Sequence, residues 1–353
     1  PATPDTIKFY GDGEMYEPAD YLKILQQIQQ GNGIENDRYG SGGAVEALEK
    51  KFAAITGKEQ AIFMPSGTMA NQLAISVLSG NNAKVMVQET SHVFRDEADA
   101  AQSVFQKRLV PLAKNETCFT AQQLIDGIET LRQEEVFFSG IGAVSVENPV
   151  RRAEGRMVPL EEIKKISDYC RNNHIPLHLD GARIYMAATW SGVSVKEYAS
   201  YFDTVYISMY KYLGASGGAI LCGNKKIIDQ MPHLIKVHGG NMYGNWTNAA
   251  MALHRLEHLE TRLQQSKQRA EEIFSALNKI SGCSVEALDQ GTNIYRMKLD
   301  KNLSGKSLQE KLNKQFNIRI GAANRQNHIL LTVNETLLYQ DSRYVVDAFR
   351  KSL

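Results

Sequence analysis

Cysteines are few in this sequence, and long apolar runs are missing. The four cysteines (Cys118, Cys170, Cys222 and Cys283) include no CxxC pair, a pattern that disfavours a disulfide framework or a zinc site. No stretch is apolar enough for a membrane span, and the N-terminal residues lack the charged-then-apolar pattern of a signal peptide. The chain begins at Pro1 without a methionine, which leaves a removed leader open. We expect a cytoplasmic protein.

Charge of one sign is also lacking. The chain carries 40 basic and 39 acidic residues, so its net charge is +1, and no basic cluster stands out. We therefore expect neither nucleic acid nor an anionic membrane as a partner. With 353 residues, 43% hydrophobic and 22% charged, the sequence is typical of a folded protein with a large domain and a smaller one.

Strand-like and helical patterns alternate between about residues 45 and 225. Helical faces are indicated by Val45 to Ile55, Met69 to Val77 and Leu160 to Tyr169. The predicted strands are Ala61 to Met64, Val85 to Val87, Ile141 to Val146, Ile175 to Leu179, Thr204 to Ile207 and Ala219 to Leu221. This alternation predicts an α/β fold whose sheet is mostly parallel and flanked by helices.

The C-terminal third predicts a smaller α/β domain. No proline or glycine occurs from Trp246 to Ser281, and leucines recur at helical spacing, which predicts one long helix ended by Gly282. Beyond it, strand and helix patterns alternate to the last helix. We place the large domain at 20–250 and the small domain at 251–353, and leave 1–19 unassigned.

Polar residues follow two of the predicted strands. His178 and Asp180 share one face of a strand, where the carboxylate could bind a cationic ring nitrogen, and Arg183 suits a carboxylate or phosphate ligand. A simple salt bridge between Asp180 and Arg183 explains the pattern equally well. Lys211 follows another strand, where a desolvated lysine becomes a nucleophile, and Ser208 lies three residues before it. The alternative interpretation is an ordinary surface lysine, which is what a lone lysine after a strand more often is.

Two further segments end predicted strands. Ser66, Gly67 and Thr68 begin a helix, so free backbone N–H groups and the Thr68 hydroxyl could bind an anion. An ordinary helix cap is the alternative. His92 follows the next strand and could stack on an aromatic cofactor or accept a proton, although a lone histidine is more often structural.

Along the chain, the segments come in the order Ser66 to Thr68, His92, Asp180 and Lys211, each at the end of a separate predicted strand. In that order they resemble the threonine aldolase family within the β-eliminating lyase group of fold-type-I pyridoxal-phosphate enzymes. The likeness extends over about residues 7 to 335. It is densest at Tyr39-Gly40, Gly57 to Asn71, Ser91-His92, Glu147-Asn148, His178 to Arg183, Ser208 to Gly214 and Lys236 to Gly240.

The resemblance implies a role for each matching residue. Lys211 would carry pyridoxal 5'-phosphate, and Asp180 would pair with its ring nitrogen, so that the ring becomes an electron sink. The expected cofactor-binding residues are Ser66, Gly67, Thr68, His92, Asp180, Ser208 and Lys211, and the expected catalytic residues are Lys211, Asp180 and His92. Arg183 would bind the substrate carboxylate, and Tyr39 would reach the site from a neighbouring subunit of a homodimer or homotetramer. The implied reaction cleaves a β-hydroxy-α-amino acid, of the L-threonine or L-allo-threonine type, to glycine and an aldehyde.

The sequence departs from the family on the substrate side. Pro149-Val150 stands where family members often have Thr-His, which leaves His92 or a water to take the hydroxyl proton. Tyr210 and Tyr212 replace a serine and a glycine beside Lys211. Two arginines expected after Gly240 and near Ile329 are also absent.

Three alternatives stay open. The same scaffold could catalyse β-elimination, racemisation or transamination, or bind an amino acid without turnover. The segment His254-Arg255-Leu256-Glu257-His258 matches the H-x-x-E-H pattern of some zinc peptidases. A solvated helix face is the simpler interpretation of that segment, so we expect no metal.

Overall fold

The computed structural model describes residues 6–353, which form two compact units. The larger comprises residues 17–188 and 193–257, and the smaller comprises residues 6–16, 189–192 and 258–353. The domain boundaries given above stay a prediction.

The larger unit contains a seven-stranded sheet. Its strands are β2 (Gln60–Met64), β3 (Lys84–Gln88), β4 (Arg108–Leu112), β5 (Ile141–Glu147), β6 (Leu177–Asp180), β7 (Thr204–Ser208) and β8 (Ala219–Gly223), and β1 belongs to the other unit. Their order is β2-β8-β7-β6-β5-β3-β4. The strand β8 runs antiparallel to β2 and β7, and the other six strands share one direction. The predicted mostly parallel sheet is therefore confirmed, and β4 is the strand that the sequence pattern missed.

Helices flank this sheet. They are α1 (Pro18–Gly31), α2 (Gly43–Thr56), α3 (Gly67–Ser79), α4 (His92–Arg95), α5 (Ala100–Ser103), α6 (Ala121–Glu134), α7 (Leu160–Asn172), α8 (Ile184–Ser191), α9 (Val195–Ser200), α10 (Lys225–Ile228), α11 (Met231–Val237) and α12 (Trp246–Leu256). Every residue of β3, β5, β6, β7 and β8 is buried. Burial on both faces explains why these strands are short continuous apolar runs without strict alternation.

The carboxyl ends of the parallel strands lie along one edge of the sheet. Glu147 and Asp180 end β5 and β6 as directly paired residues, and Ser208 ends β7. The helix α3 begins three residues after β2, and α4 begins four residues after β3. Because open parallel sheets gather ligands at this edge, the fold places the polar segments singled out above in one region.

The predicted long helix is wrong. It is divided into α12, which ends at Leu256, and α13 (Leu259–Leu277), with His258 in the left-handed region at φ 57°. The longest segment of the smaller unit starts at this same residue, His258. No proline or glycine marks the break, so the sequence pattern gave no signal for it. None of the helices in residues 6–353 has the length and apolarity to cross a membrane.

The smaller unit has two short sheets. Its elements are β1 (Ile7–Lys8), α13, β9 (Cys283–Ala287), β10 (Ile294–Leu299), α14 (Gly305–Phe316), β11 (Ile318–Arg319), β12 (His328–Thr332) and α15 (Ser342–Ser352). The strands β12-β10-β9 are antiparallel, while β1 pairs with β11 in parallel. The Phe9 ring lies 6.3 Å from that of Phe274 and 6.1 Å from that of Phe349. The N-terminal segment thus supplies core residues to this unit.

Candidate active site

A cavity of about 260 Å³ lies at the carboxyl edge of the large sheet. Seven of the nine predicted site residues line it, namely Ser66, Gly67, Thr68, His92, Asp180, Arg183 and Lys211. The strand ends therefore bring together residues that are up to 145 positions apart in the sequence, from 66 to 211.

Lys211 lies beside the core and not on a solvated face. It follows β7 in a turn in which Tyr212 has φ 67°, and only 7% of the lysine is exposed. Its Nζ atom lies 5.0 Å from the centre of the Tyr210 ring. A buried lysine at the wall of a polar cavity is suited to act as a nucleophile.

Asp180 is held by donors on both of its oxygens. The Asn71 side-chain amide donates to Oδ2 at 3.0 Å, and the backbone N–H of Ala182 donates to Oδ1 at 3.2 Å. The carboxylate is 2% exposed. Such hydrogen bonds compensate a buried carboxylate for the loss of water.

Asn71 connects Asp180 to His178. Its Nδ2 also donates to Glu97 Oε1 at 2.8 Å, and its Oδ1 lies 2.9 Å from His178 Nε2. Because the amide donates both hydrogens to carboxylates, its oxygen faces the histidine, which must donate from Nε2. His178 Nδ1 then accepts from the Thr204 hydroxyl at 2.8 Å. Burial lowers the pKa of His178 to about 4, so this imidazole is neutral.

Glu97 is a buried carboxylate that holds His92. Besides Asn71, the Gln72 amide donates to Glu97, and His92 Nδ1 lies 2.9 Å from Glu97 Oε1. The Glu97 side chain is fully buried, whereas the His92 ring is 27% exposed. The hydrogen bond to Glu97 raises the pKa of His92, although burial acts in the opposite direction.

Glu147 is fixed by backbone donors. The N–H of His92 donates to Oε2 at 2.7 Å, and that of Arg151 donates to Oε1 at 2.8 Å. Burial raises the pKa of Glu147 to about 7, and the neighbouring Asp180 charge acts in the same direction. Because it accepts a hydrogen bond from the His92 backbone, Glu147 fixes the start of α4, the helix that begins with His92.

The start of α3 forms another part of the cavity wall. Ser66 caps the helix by accepting from the Met69 N–H at 3.2 Å. A side chain at Gly67 would place Cβ 2.0 Å from the Tyr206 hydroxyl, so only glycine permits this approach. Free N–H groups and the Thr68 hydroxyl at a thirteen-residue helix make an anion-binding wall.

Two predicted site residues lie elsewhere. Ser208 is fully buried at the end of β7 and is outside the cavity lining. Tyr39 is 52% exposed and lines a separate cavity of about 750 Å³. The phosphate role of Ser208 and the substrate role of Tyr39 stay predictions.

Sequence reasoning missed two residues of this network, Asn71 and Glu97. Both are in the polar segments around α3 and α4, but each contacts groups distant in sequence. Asn71 is 109 residues from Asp180. The available signal was the polar residue Asn71 at a buried position of α3. That signal does not identify the groups to which Asn71 is hydrogen-bonded.

The H-x-x-E-H segment does not form the helical metal site. His254 lies in α12, whereas His258 lies beyond its end in the left-handed region. Across residues 6–353, the donor atoms close enough for a metal ion are those of His92, Glu97 and Asp180, within 4.8 Å of one another. The Asn71 amide already donates to both of these carboxylates.

The chain is similar in sequence to one known protein family and to individual proteins of other organisms. Residues 24–300 match the β-eliminating lyase family. The low-specificity L-threonine aldolase of Candida albicans is 35% identical over 228 residues, which are 64% of this chain and 60% of the relative. The low-specificity L-threonine aldolase of Escherichia coli K12 is 28% identical over 262 residues, 74% of this chain and 76% of the relative. The chain thus matches about three-fifths of the Candida protein's length.

A solved structure is similar over nearly the whole chain. A Listeria monocytogenes protein with the provisional assignment of L-allo-threonine aldolase has a TM-score of 0.80 and 25% identity, covering 99% of this chain and 97% of its own. This likeness confirms the type I fold predicted from the sequence.

Proposed function

Because the chain belongs to the β-eliminating lyase family, we propose that it is a pyridoxal-phosphate-dependent lyase of the threonine aldolase type. The reaction cleaves the Cα–Cβ bond of a β-hydroxy-α-amino acid, of the L-threonine or L-allo-threonine type, to give glycine and an aldehyde. One observation carries the proposal: the buried Lys211 and Asp180 line the same cavity as the start of α3.

These residues fit the cofactor's chemical groups. The Lys211 amine would bind its aldehyde carbon, and the Asp180 carboxylate would bind its ring nitrogen. The N–H groups of Gly67 and Thr68 would bind its phosphate with the help of the Ser208 hydroxyl, while Ser66 caps the helix. When bound, pyridoxal phosphate supplies an electron sink for the charge that develops on Cα.

The protein's own side chains fix which bond is broken. Arg183, which lines the cavity, would hold the substrate carboxylate and thereby orient the Cα–Cβ bond. Asn71 and the Ala182 N–H keep Asp180 in place. His92 is the imidazole in the cavity lining, and we assign it both contact with the cofactor ring and receipt of the substrate hydroxyl proton.

We also propose a homodimer or homotetramer in which Tyr39 reaches a neighbouring subunit's site. Support comes from its exposure and from its position on a cavity separate from the one containing Lys211. The larger unit is proposed as the cofactor-binding domain. Four free cysteines support a reducing, cytoplasmic location.

The test is aldehyde release by the cofactor-loaded protein from L-threonine, L-allo-threonine and phenylserine. We expect release by the wild type and a loss on the order of 10⁴-fold or more in Lys211→Ala, because the nucleophile is gone. Lys314→Ala is the matched lysine control, since Lys314 lies on α14 outside the cavity lining and its side chain is 72% exposed.

Product analysis separates the rival reactions. Pyruvate with ammonia would indicate β-elimination, amino-group transfer would indicate transamination, and loss of optical purity would indicate racemisation. Absence of aldehyde from all three substrates, with the cofactor's visible band still responding to amino acids, contradicts the aldolase assignment.

A further inference from the structure

The hydrogen bonds around Glu97 determine which nitrogen of His92 carries a proton. Glu97 Oε1 receives an amide hydrogen from Asn71, and Oε2 receives one from Gln72. An amide nitrogen can only donate, so both oxygens act as acceptors. The contact between Glu97 Oε1 and His92 Nδ1 at 2.9 Å then requires the hydrogen to come from Nδ1.

The orientation of Asn71 is itself fixed. If the Asn71 amide were reversed, its oxygen would face the Glu97 and Asp180 carboxylates and its NH₂ would face His178. The hydrogen bonds from Nδ2 to both carboxylates, at 2.8 and 3.0 Å, exclude that arrangement. The assignment of the His92 proton therefore depends on three side chains and not on one contact.

With Nδ1 engaged, Nε2 is the ring nitrogen left to accept a proton. The His92 ring is partly exposed while Glu97 is fully buried, and both residues line the cavity. A buried carboxylate that binds one imidazole nitrogen and leaves the other to the substrate is a recurrent arrangement for a general base.

We propose that Glu97 is a positioning residue that makes His92 Nε2 the proton acceptor for the substrate's β-hydroxyl group. The proposal rests on the retro-aldol function given above. In the step itself, the hydroxyl proton passes to Nε2 while the Cα–Cβ bond breaks. The electron pair of that bond goes to Cα, and the hydroxyl oxygen becomes the carbonyl oxygen of the aldehyde. Glu97 takes no proton and stabilises the imidazolium that forms.

Other charges also face His92. Asp96 follows the same short helix, Glu147 and Asp180 come from the strand ends, and Lys211 and Arg183 share the cavity. The carboxylate in hydrogen-bond contact with the His92 ring is instead that of Glu97. Asp96 binds Arg152 at Nε, 2.9 Å away, which makes Asp96→Asn a matched control for losing one nearby negative charge.

The first test needs no turnover. In cofactor-loaded protein labelled with ¹⁵N-histidine, the His92 signal is the one missing from His92→Asn. We expect the neutral form of His92 to carry its proton on Nδ1, and Glu97→Gln to lower the pKa of His92 by more than Asp96→Asn does. A neutral form protonated at Nε2 in the wild type, or equal shifts in the two variants, overturns the proposal.

The second test is the dependence of kcat for aldehyde release on pH. Because Nε2 must be unprotonated, kcat should rise as pH increases through the pKa of His92. In Glu97→Gln, the rise should move to lower pH while the plateau falls about 10- to 100-fold. Glu97→Asp, which keeps the charge, should recover part of the loss, whereas a plateau loss with an unmoved rise would mean a merely structural role. If the wild type releases no aldehyde, the proposed function fails, while the ¹⁵N result still decides whether Glu97 holds the proton of His92 on Nδ1.

Discussion

A buried polar network and an exposed aromatic surface of the larger unit differ in whether their side chains have contacts within the same chain. The buried network, defined as Asn71, Glu97, His178 and Asp180, is at most 3% exposed at each residue. The aromatic surface, defined as Tyr39 and Tyr243, is 52% and 64% exposed at these residues. In the network, polar atoms form hydrogen bonds within the same chain. The aromatic surface instead exposes apolar side-chain area to solvent.

This contrast indicates what each part depends on. The network's geometry follows from hydrogen bonds made on folding, so one chain suffices to build it. On the aromatic surface, Tyr39 and Tyr243 contact each other edge to face at 5.3 Å but bury little area. A contiguous exposed apolar patch is typical of an interface, which agrees with the second subunit proposed above.

Removing Asn71 should have the largest effect on stability. Asn71→Leu keeps a similar volume but leaves two buried carboxylates and His178 without the amide that joins them. We expect the free energy of unfolding to fall by about 3 kcal/mol, measured by urea denaturation. Asn81→Leu, at an exposed position after α3, should change it by less than about 0.5 kcal/mol. Equal effects would mean that the network is not held together by Asn71.

The sequence predicted the fold well where patterns are local. Buried strands such as β5 are continuous apolar runs, and α3 begins with a serine cap and a glycine, so both are visible without tertiary contacts. The strand β4 was missed because Arg108 and Pro111 interrupt its pattern at the sheet edge. The break at His258 was missed because a left-handed residue that is not glycine leaves no mark in the sequence.

The site was predictable for residues at strand ends and not for those that support them. Asp180 ends one apolar strand and Lys211 lies three residues after another, and topology brings them to one edge of the sheet. Glu97 follows the four-residue helix α4, and only the folded chain shows that three donors surround its carboxylate. Resemblance supplied roles for the former group, but the proton on His92 could be assigned only from contacts.

Glu147 should make stability depend on pH in a direction opposite to His178. The folded chain binds a proton at Glu147 between its ordinary pKa of 4.5 and its raised pKa of about 7, so the free energy of unfolding falls as pH rises through this window. His178, with its pKa lowered from 6.5 to about 4, makes that free energy rise with pH over nearly the same window. The two groups therefore partly cancel in the wild type.

Glu147→Gln should remove one side of this balance. Relative to the wild type, the variant should gain about 1 kcal/mol or more between about pH 5 and pH 7, an effect bounded by about 1.4 kcal/mol per pH unit. Urea denaturation at several pH values measures it. Glu161→Gln, whose side chain is 73% exposed, is the matched control. If the unfolding free energies of the variant and the wild type differ by a constant amount across this pH window, the pKa of Glu147 is not raised by folding.

Truncating the aromatic surface should affect folding least and association most. In Tyr243→Ala, we expect the unfolding free energy of the dissociated chain to change by less than about 0.5 kcal/mol, because the ring is mostly exposed. Sedimentation equilibrium should instead detect subunit association weakened by about tenfold or more, since aromatic anchors carry much of the energy of an interface. Phe137→Ala is the matched control, being an aromatic residue that is 92% exposed in the loop after α6. Should the control weaken association while Tyr243→Ala does not, the interface lies on that loop, and the aromatic surface needs another explanation.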